Sequence, residues 1–200
     1  MLGSMLFTWL QGAHFYRDLH QRAVEQLPVG PGRIWLDVGC GPGLVTRFAA
    51  ERGYSAKGVD ADPSMIKAAK RLAKVHRSSA EFEVANIDGL PERYADVVSA
   101  ASLLAVLDDK SSGLKSLWRC VRPGGHLLII EPTNQMNPEN AKKLIGVDLP
   151  QKRISGLRLW AAARQNRAVD PKIYDAIEAE RQYVDLLHGL VGAWVFRKSG

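Results

Sequence analysis

Short, uninterrupted apolar runs alternate with segments of helical periodicity over the first two thirds of the chain. The runs predict five strands, at residues 34–38, 54–59, 81–85, 95–99 and 126–130. Between the strands, apolar positions recur at the spacing of a helix, and Asp62 and Pro63 suit the N-cap and the first position of one such helix. Strands that are apolar throughout and alternate with helices indicate a parallel sheet with helices on both faces.

The N-terminal segment is predicted to form a single helix over residues 5–27. Pro28 ends this helix, because the residue before a proline disfavours the helical conformation. The apolar positions of the segment define one buried face, which carries Ala13, Tyr16, Leu19, Ala23 and Leu27.

The last third of the chain has a different pattern. Residues 138–180 contain no strand pattern and predict helices at 138–145, 156–166 and 171–180. Two short apolar runs, at 182–187 and 191–197, are separated by His188 and Gly189 and predict a closing β-hairpin.

The sequence LDVGCGPG, residues 36–43, joins the first strand to the helix that follows it. Its glycines let the backbone reach φ > 0 and let a ligand approach with no Cβ in the way. Such a turn between a strand and a helix predicts a site for a nucleotide-like cofactor. Leu44 and Val45 stand where a phosphate-binding loop has lysine and a hydroxyl residue, which excludes nucleoside triphosphates. The third glycine comes one place early for a dinucleotide fingerprint, while Asp60 suits the ribose of a dinucleotide or of an S-adenosyl ligand, so the turn alone leaves both open.

Four motifs in order resemble the class I S-adenosylmethionine-dependent methyltransferases, in their small-molecule branch. They are LDVGCGPG, then GVDADPSMIKAAK, then the loop NIDGLP with YADVVSAASLLAVLDD, and then LWRCVRPGGHLLIIEP. Together they span about residues 33 to 132, and the closing hairpin also fits the family. The resemblance implies an α/β fold with a Rossmann-like seven-stranded sheet, six strands parallel and the last antiparallel, and helices on both faces. It implies S-adenosyl-L-methionine as the cofactor, bound along the carboxyl ends of the first and adjacent strands.

The resemblance also implies which residues hold the cofactor. Backbone at Gly39 and Gly41 is expected close to its methionine and ribose parts. Asp37 is expected to meet the amino group of the methionine part, directly or through water; the alternative is a carboxylate that stabilises the turn. Asp60 has two acceptor oxygens for the two ribose hydroxyls, against the alternative of a simple acid at a strand end.

The adenine is expected near the loop after the third strand. Asn86 stands where the family often has an acid facing the adenine amino group, and Asp88 takes this place if the loop register shifts by two. Ser102 and Leu103 are expected at the methyl-transfer end, with a plain loop role as the alternative for Asn86 and Ser102. The complete set of expected cofactor-binding residues is Asp37, Gly39, Cys40, Gly41, Gly43, Asp60, Ala61, Met65, Asn86, Ile87, Ser102 and Leu103.

Methyl transfer from a sulfonium is an in-line displacement, in which the enzyme mainly aligns a nucleophile and excludes water. A base is needed only if the acceptor arrives protonated, so no catalytic triad is expected. The candidates for contact with the acceptor are Glu131, at the cofactor end of the fifth strand, and His14 and Tyr16 on the N-terminal helix. Tyr16 belongs to the apolar face of its helix, which favours core packing, and His126 is expected at the opposite end of the sheet in a structural role.

Two features favour a small-molecule acceptor, methylated on O, N, S or C. The residues SAAS at 99–102 replace the N/D-P-P-Y/F stretch of methylases that act on exocyclic or amide nitrogen. Cys120 lies late in a predicted helix, where it does not match the nucleophile of cytosine methylases. An RNA or protein methyltransferase, or a noncatalytic cofactor-binding protein of the same fold, remains the alternative.

The 200 residues are expected to form one methyltransferase domain, with 1–30 as a helical cap and 133–180 as a helical insertion that shapes the acceptor pocket. The net charge is +6, and part of the excess lies in this insertion. These basic residues predict a solvated surface, with a nucleic-acid track as the alternative; they are Lys152, Arg153, Arg158, Arg164, Arg167 and Lys172. For Arg158 and Arg164, the alternative to a solvated helix face is recognition of an anionic substrate.

The cysteines, the hydropathy and the charge of the chain limit its expected location and partners. Cys40 and Cys120 match no metal-ligand spacing and are expected as reduced thiols in a cytoplasmic protein without a metal. No apolar run approaches the length of about 20 residues that a membrane span needs. The basic balance leaves nucleic acid open as a partner, but no basic tract interleaved with aromatic residues supports it.

Overall fold

The computed structural model describes residues 2–145 and 153–200. Its strands are β1 (Ile34–Val38), β2 (Ser55–Asp60), β3 (Glu81–Val84), β4 (Ala95–Ala101), β5 (Val121–Pro132), β6 (Glu180–Leu186) and β7 (Val191–Arg197). Its α-helices are α1 (Leu2–Leu10), α2 (His14–Val24), α3 (Leu44–Glu51), α4 (Pro63–His76), α5 (Lys110–Cys120), α6 (Pro138–Ile145) and α7 (Ser155–Arg164). Three 3₁₀ turns are formed by Ile87–Gly89, Leu104–Val106 and Pro171–Ala176.

The strands form one sheet in the order β3-β2-β1-β4-β5-β7-β6. Neighbouring strands among β1 to β5 are parallel, and β7 is antiparallel to both β5 and β6. The seven-stranded, mostly parallel sheet with an antiparallel last strand is therefore confirmed. The strand order reverses between β1 and β4, and a crevice at the carboxyl ends of strands at such a point is where α/β proteins bind ligands.

Alternate residues of β1 enter two different cores. Trp35 of β1 packs with residues of α2 and α3 on one face, whereas Leu36 and Val38 pack with α5 on the other. The sheet is covered on both faces, as the continuous apolar runs predicted, because neither side of a strand can face water. Asp62 accepts a hydrogen bond of 2.7 Å from the amide of Ser64, so the predicted cap of α4 is present.

The prediction of one helix over 5–27 is wrong, because the chain breaks between α1 and α2. The amide of Gly12 bonds to Trp9 and that of Ala13 to Leu10, and Ala13 then adopts an extended conformation with ψ 135°. A Cβ at Gly12 would collide with the guanidinium of Arg153, so a glycine suits this break. The predicted buried face is nevertheless confirmed, with every member at most 9 % exposed.

Two boundaries in the second half also differ from prediction. Residues 171–180 do not form a helix; a 3₁₀ turn capped by Asp170 ends at Ala176, and β6 begins at Glu180. The strand β5 begins at Val121, where we predicted a start at 126. The Pro-Gly-Gly sequence therefore lies inside the strand, where the pairing with β4 shifts register between Ala95 and Val97.

None of the helices in the described part of the chain is long and apolar enough to cross a membrane. The segment predicted as an insertion contains α6, α7 and one 3₁₀ turn. Its residues 146–152, including Lys152 of the basic group, lie outside the described residues.

Candidate cofactor and acceptor site

One cavity of about 530 Å³ opens where β1, β2 and β4 end. Its volume lies within the range of roughly 300 to 1,000 Å³ that is typical of small-molecule sites. Eleven of the twelve residues expected to bind the cofactor line this cavity: Asp37, Gly39, Cys40, Gly41, Asp60, Ala61, Met65, Asn86, Ile87, Ser102 and Leu103. Asp88, the alternative to Asn86, is not among the lining residues.

The glycines of the turn differ in what surrounds them. Gly39, Gly41 and Gly43 have φ angles of 66°, 51° and 76°, in the left-handed region that glycine adopts without strain. A Cβ on Gly41 would meet nothing within 4 Å, so the turn has open space beside it. A Cβ on Gly43 would instead collide with the ring of Phe82, which places this glycine in the packing behind the turn and outside the cavity lining.

The carboxylate of Asp60 joins the end of β2 to the glycine turn. Its Oδ2 accepts a hydrogen bond of 2.9 Å from the amide of Gly41, and its Oδ1 accepts one of 2.9 Å from the amide of Asp62. Each carboxylate oxygen has two acceptor positions, so the group keeps acceptor capacity toward the cavity.

Asp37 is buried at the centre of a hydrogen-bond network. Its two oxygens accept from the hydroxyls of Thr46 and Ser99, each at 2.7 Å, and Ser99 in turn accepts from the indole of Trp35 at 2.8 Å. Burial raises the pKa of Asp37 to about 6, against the opposing effect of the two hydroxyl donors. The carboxylate thus joins β1 to α3 and β4, and it also lines the cavity.

The sulfur of Cys40 faces β2, the next strand along the chain. A Cβ on Gly58 of β2 would lie 2.9 Å from this sulfur, so the glycine provides the room for the thiol. Burial raises the pKa of the Cys40 thiol well above its usual range, and the nearby carboxylates of Asp37 and Asp60 act in the same direction. The side chain is therefore a neutral thiol in the cavity wall.

Glu131 holds the 3₁₀ turn that follows β4 at the cavity wall. The Glu131 carboxyl group is fully buried and accepts hydrogen bonds from the amides of Leu104 at 2.8 Å and Ala105 at 3.3 Å. Burial raises its pKa to about 8, although the two amides oppose this shift. Glu131 is not among the lining residues, so it positions the 3₁₀ turn that follows Ser102 and Leu103.

The N-terminal helices α1 and α2 contribute to the wall of the cavity, together with the glycine turn. Tyr16 lines the cavity and packs edge-on against Trp160 of α7, with ring centroids 5.0 Å apart. His14 lies elsewhere, in a neighbouring groove of about 1130 Å³ between α1 and α4. This groove is larger but does not reach the glycine turn, so we assign the smaller cavity as the candidate site.

A buried arginine joins the break between α1 and α2 to the glycine turn. Arg47 of α3 is 2 % exposed and donates hydrogen bonds of 2.9 Å to the carbonyl of Pro42 and 2.8 Å to the side chain of Gln11. Because Pro42 belongs to the glycine turn and Gln11 to the α1–α2 break, one guanidinium spans both. Burial lowers the pKa of Arg47 to about 10, which leaves it charged at neutral pH.

Sequence analysis missed His20, which also lines the cavity. Its Nδ1 lies 2.7 Å from the carbonyl oxygen of Tyr16, so Nδ1 carries the proton and Nε2 is an acceptor. Burial lowers the pKa of His20 to about 4, so the ring is neutral at neutral pH. The spacing was available in the sequence, because a residue four positions after Tyr16 lies on the same helix face.

Comparisons with known proteins agree with this geometry. Residues 36–129 match the family model described as a methyltransferase domain. The chain is 36% identical over 116 residues to a ubiquinone biosynthesis O-methyltransferase of Alkalilimnicola ehrlichii, covering 54% of this chain and 44% of that protein. It is 31% identical over 157 residues to a malonyl-[acyl-carrier protein] O-methyltransferase of Salmonella typhimurium, covering 73% of this chain and 61% of that one.

The fold has close counterparts among solved structures. The magnesium protoporphyrin IX methyltransferase of Synechocystis, solved with bound S-adenosylhomocysteine, superposes with a TM-score of 0.66 at 16% identity, covering 99% of this chain and 95% of that one. The chain spans between about two fifths and three fifths of the length of the two curated relatives. The chain thus carries a methyltransferase domain of the S-adenosylmethionine-dependent family, matched over residues 36–129.

Proposed function

We propose that this protein transfers a methyl group from S-adenosylmethionine to a small-molecule acceptor. The observation that carries the proposal is the single cavity in which the glycine turn and Asp60 meet the cap residues Tyr16 and His20. A cofactor site that is closed by a cap has room for a small acceptor beside the cofactor and little access for a bulky one.

The residues present fit S-adenosylmethionine. The open space beside Gly41 is one that a Cβ would occupy, and Asp60 keeps acceptor positions for ribose hydroxyls. The side chain of Asn86 makes no capping bond to the 3₁₀ turn after it, so its amide is available to the adenine. Together with Asp37, these are the residues that we propose hold the cofactor.

When bound, S-adenosylmethionine supplies a methyl group on a positively charged sulfur, so the carbon needs no further activation. The residues of the chain then align the lone pair of the acceptor with that carbon and exclude water. Tyr16 and His20 contribute from the cap: the hydroxyl can donate, and Nε2 of the neutral imidazole can accept from a protonated acceptor. We propose Ser102 and Leu103 for the wall at this end, positioned by Glu131.

Both curated relatives are named as O-methyltransferases, which supports oxygen as the methylated atom. The names describe those proteins, whose length this chain matches only in part. A cytoplasmic location, and the division into a cap at 1–30 and an insertion at 133–180, stay predictions from the sequence.

Two measurements, made one after the other, test the proposed function. Calorimetry with S-adenosylmethionine and S-adenosylhomocysteine is expected to give saturable one-to-one binding of both; absence of binding overturns the proposal. Metabolite extracts are then incubated with methyl-labelled S-adenosylmethionine, and transfer of label to a small molecule is expected. Binding without transfer to any fraction supports the noncatalytic alternative.

A second candidate, an RNA methyltransferase, is favoured by the neighbouring groove. Among the described residues its lining has no carboxylate, and its arginine and lysine side chains besides the internally bonded Arg47 are Arg17, Lys67, Arg71 and Arg153. An RNA acceptor predicts association that weakens steeply with added salt, because phosphate contacts release counterions. Fluorescence anisotropy with labelled total RNA at two salt concentrations tests this, and no binding at low salt removes the candidate.

A further inference from the structure

We propose that Arg164, with the hydroxyl of Tyr16, recognises a carboxylate group on the methyl acceptor. The inference rests on the proposed function, because the acceptor must share the cavity with the cofactor. It narrows the acceptor to small organic acids and assigns the recognition of the acid to the last residue of α7, far in sequence from the methyltransferase motifs.

The half-buried side chain of Arg164 lines the cavity with few hydrogen-bond partners for its guanidinium. Its Nε is buried and has no hydrogen-bond partner among the described residues. Its Nη1 makes only a long contact of 3.4 Å with the carbonyl oxygen of Ala163, and no carboxylate in the described chain lies within ion-pair distance of it. A charged group with a buried donor that lacks a partner loses part of its hydration, so a ligand that supplies the partner gains free energy.

Packing holds the guanidinium in place. Its central carbon lies 5.0 Å from the centre of the Phe7 ring, a cation–π contact that restrains the guanidinium. Phe7 itself lines the cavity from α1. A pre-oriented guanidinium loses little conformational entropy when it binds a planar anion.

Neighbouring groups leave the positive charge of Arg164 uncompensated. The carboxyl group that acts on its pKa is Glu131, whose own contacts are to the backbone of the 3₁₀ turn. The charge of Arg164 also acts on the pKa of Tyr16, so the two polar groups lie on the same part of the cavity. Burial is the largest effect on Tyr16 and raises its pKa above the usual range, so its hydroxyl is a donor at neutral pH.

Geometry and size favour a carboxylate as the ligand. The parallel N–H groups of a guanidinium match the two oxygens of a carboxylate, and a neutral tyrosine hydroxyl adds a third donor. The cavity of about 530 Å³ must also hold the cofactor, which restricts the acceptor to a small molecule. A carboxylate on the acceptor is also attracted by the positively charged sulfonium of the cofactor. A cationic acceptor would be repelled by both the sulfonium and the guanidinium of Arg164.

The test uses the full chain loaded with S-adenosylhomocysteine, after calorimetry has established that this product binds. Saturation-transfer NMR then measures the affinity of matched probes: benzoate against benzamide, and malonate against malonamide. We expect at least one acid to bind about tenfold or more tightly than its amide. The substitution Arg164→Gln is expected to remove this preference, and Tyr16→Phe to reduce it severalfold.

Arg158→Gln is the matched control, because it removes the same charge from an exposed position of the same helix. It is expected to keep the acid preference. Equal affinity for acids and amides, absence of binding by either acid, or equal losses in the two arginine variants would each overturn the inference. Should Arg164→Gln fail to fold, Arg164→Lys replaces it; weaker acid binding supports the inference and an unchanged preference overturns it. Failure of S-adenosylhomocysteine to bind the wild type, by contrast, is a failure of the proposed function.

Discussion

The Oδ2 atom of Asp60 accepts a 2.9 Å hydrogen bond from the backbone amide of Gly41, nineteen residues earlier in the chain. The bond ties the carboxyl end of β2 to the turn after β1, two neighbouring parallel strands. The residue that we propose for the ribose thus also sets the shape of the turn. Since both roles use the same carboxylate, its removal disturbs the site twice.

We therefore predict that Asp60→Ala weakens S-adenosylhomocysteine binding by tenfold or more, since each hydrogen bond to a charged group contributes roughly 1.5 to 3 kcal/mol. Asp60→Asn keeps one acceptor oxygen and is expected to lose less. Titration calorimetry measures both. Asp109→Ala is the control: Asp109 caps α5 by accepting from Ser112 at 2.8 Å, so its loss costs about 1 kcal/mol of stability and no affinity. Wild-type affinity in Asp60→Ala would contradict the placement of the ribose.

A second prediction uses two glycines with the same backbone conformation. Gly41 and Gly32 have φ angles of 51° and 74°, and a Cβ on either meets no atom within 4 Å. Alanine at each position therefore costs a similar amount, roughly 1 to 2 kcal/mol, for the left-handed conformation. Only Gly41 lines the cavity, so Gly41→Ala alone is expected to lower S-adenosylhomocysteine affinity, by about tenfold, because its methyl group occupies ligand space. Urea unfolding and calorimetry separate the two effects, and equal affinities would count against the site.

The sheet, and the residues at the carboxyl ends of its strands, could be predicted from the sequence for one physical reason. Strands that are buried on both faces must be apolar throughout, so their limits and the residues that follow them are visible in the pattern. Parallel strands end at the same edge, which is why Asp37 and Asp60 meet in one cavity. The errors at residues 171–180 and at the start of β5 concern polar or irregular segments, where periodicity carries little information.

The acceptor side was less predictable because it is assembled by tertiary packing. For Arg164 the sequence favoured a solvated helix face over recognition of an anionic substrate, and only the packing of α7 against α1 and α2 brings it to the cavity. Glu131 was one candidate for contact with the acceptor, but its carboxyl group binds the amides of the 3₁₀ turn and does not line the cavity. Local periodicity cannot distinguish these outcomes, since each depends on contacts between distant segments.

The network around Asp37 gives a third prediction. Ser99 joins the indole of Trp35 to the carboxylate, so Ser99→Ala leaves a buried donor and a buried acceptor with one partner fewer. We expect the free energy of unfolding to fall by about 2 to 4 kcal/mol. Ser116→Ala is the control, because this serine is also buried but accepts only a 3.3 Å bond from Arg119, and its loss is expected to cost about 1 kcal/mol or less. Urea unfolding at neutral pH decides, and similar losses in both variants would refute the network.

The last prediction concerns pH and Glu131. Its pKa is raised from 4.5 to about 8 by burial, so between these values the folded protein keeps a proton that the unfolded chain has lost. The free energy of unfolding therefore falls as pH rises through this range, and the stabilisation is fully present only below pH 4.5. Asp37, with a pKa of about 6, contributes a fall mainly below pH 6, and His20, with a pKa lowered from 6.5 to about 4, contributes a rise below pH 6.5. Above pH 6.5, Glu131 dominates these three.

Across pH 6.5 to 8 we expect the wild type to lose on the order of 1 to 2 kcal/mol, and Glu131→Gln to lose almost none, because glutamine does not titrate. Urea unfolding at both pH values measures the difference. Glu178→Gln removes an exposed carboxylate as the control and should keep the wild-type slope. Equal slopes in the wild type and Glu131→Gln would mean that Glu131 is already ionised at pH 6.5. In that case the two amides of the 3₁₀ turn would outweigh burial, and the wall of the cavity would be held by a charged group.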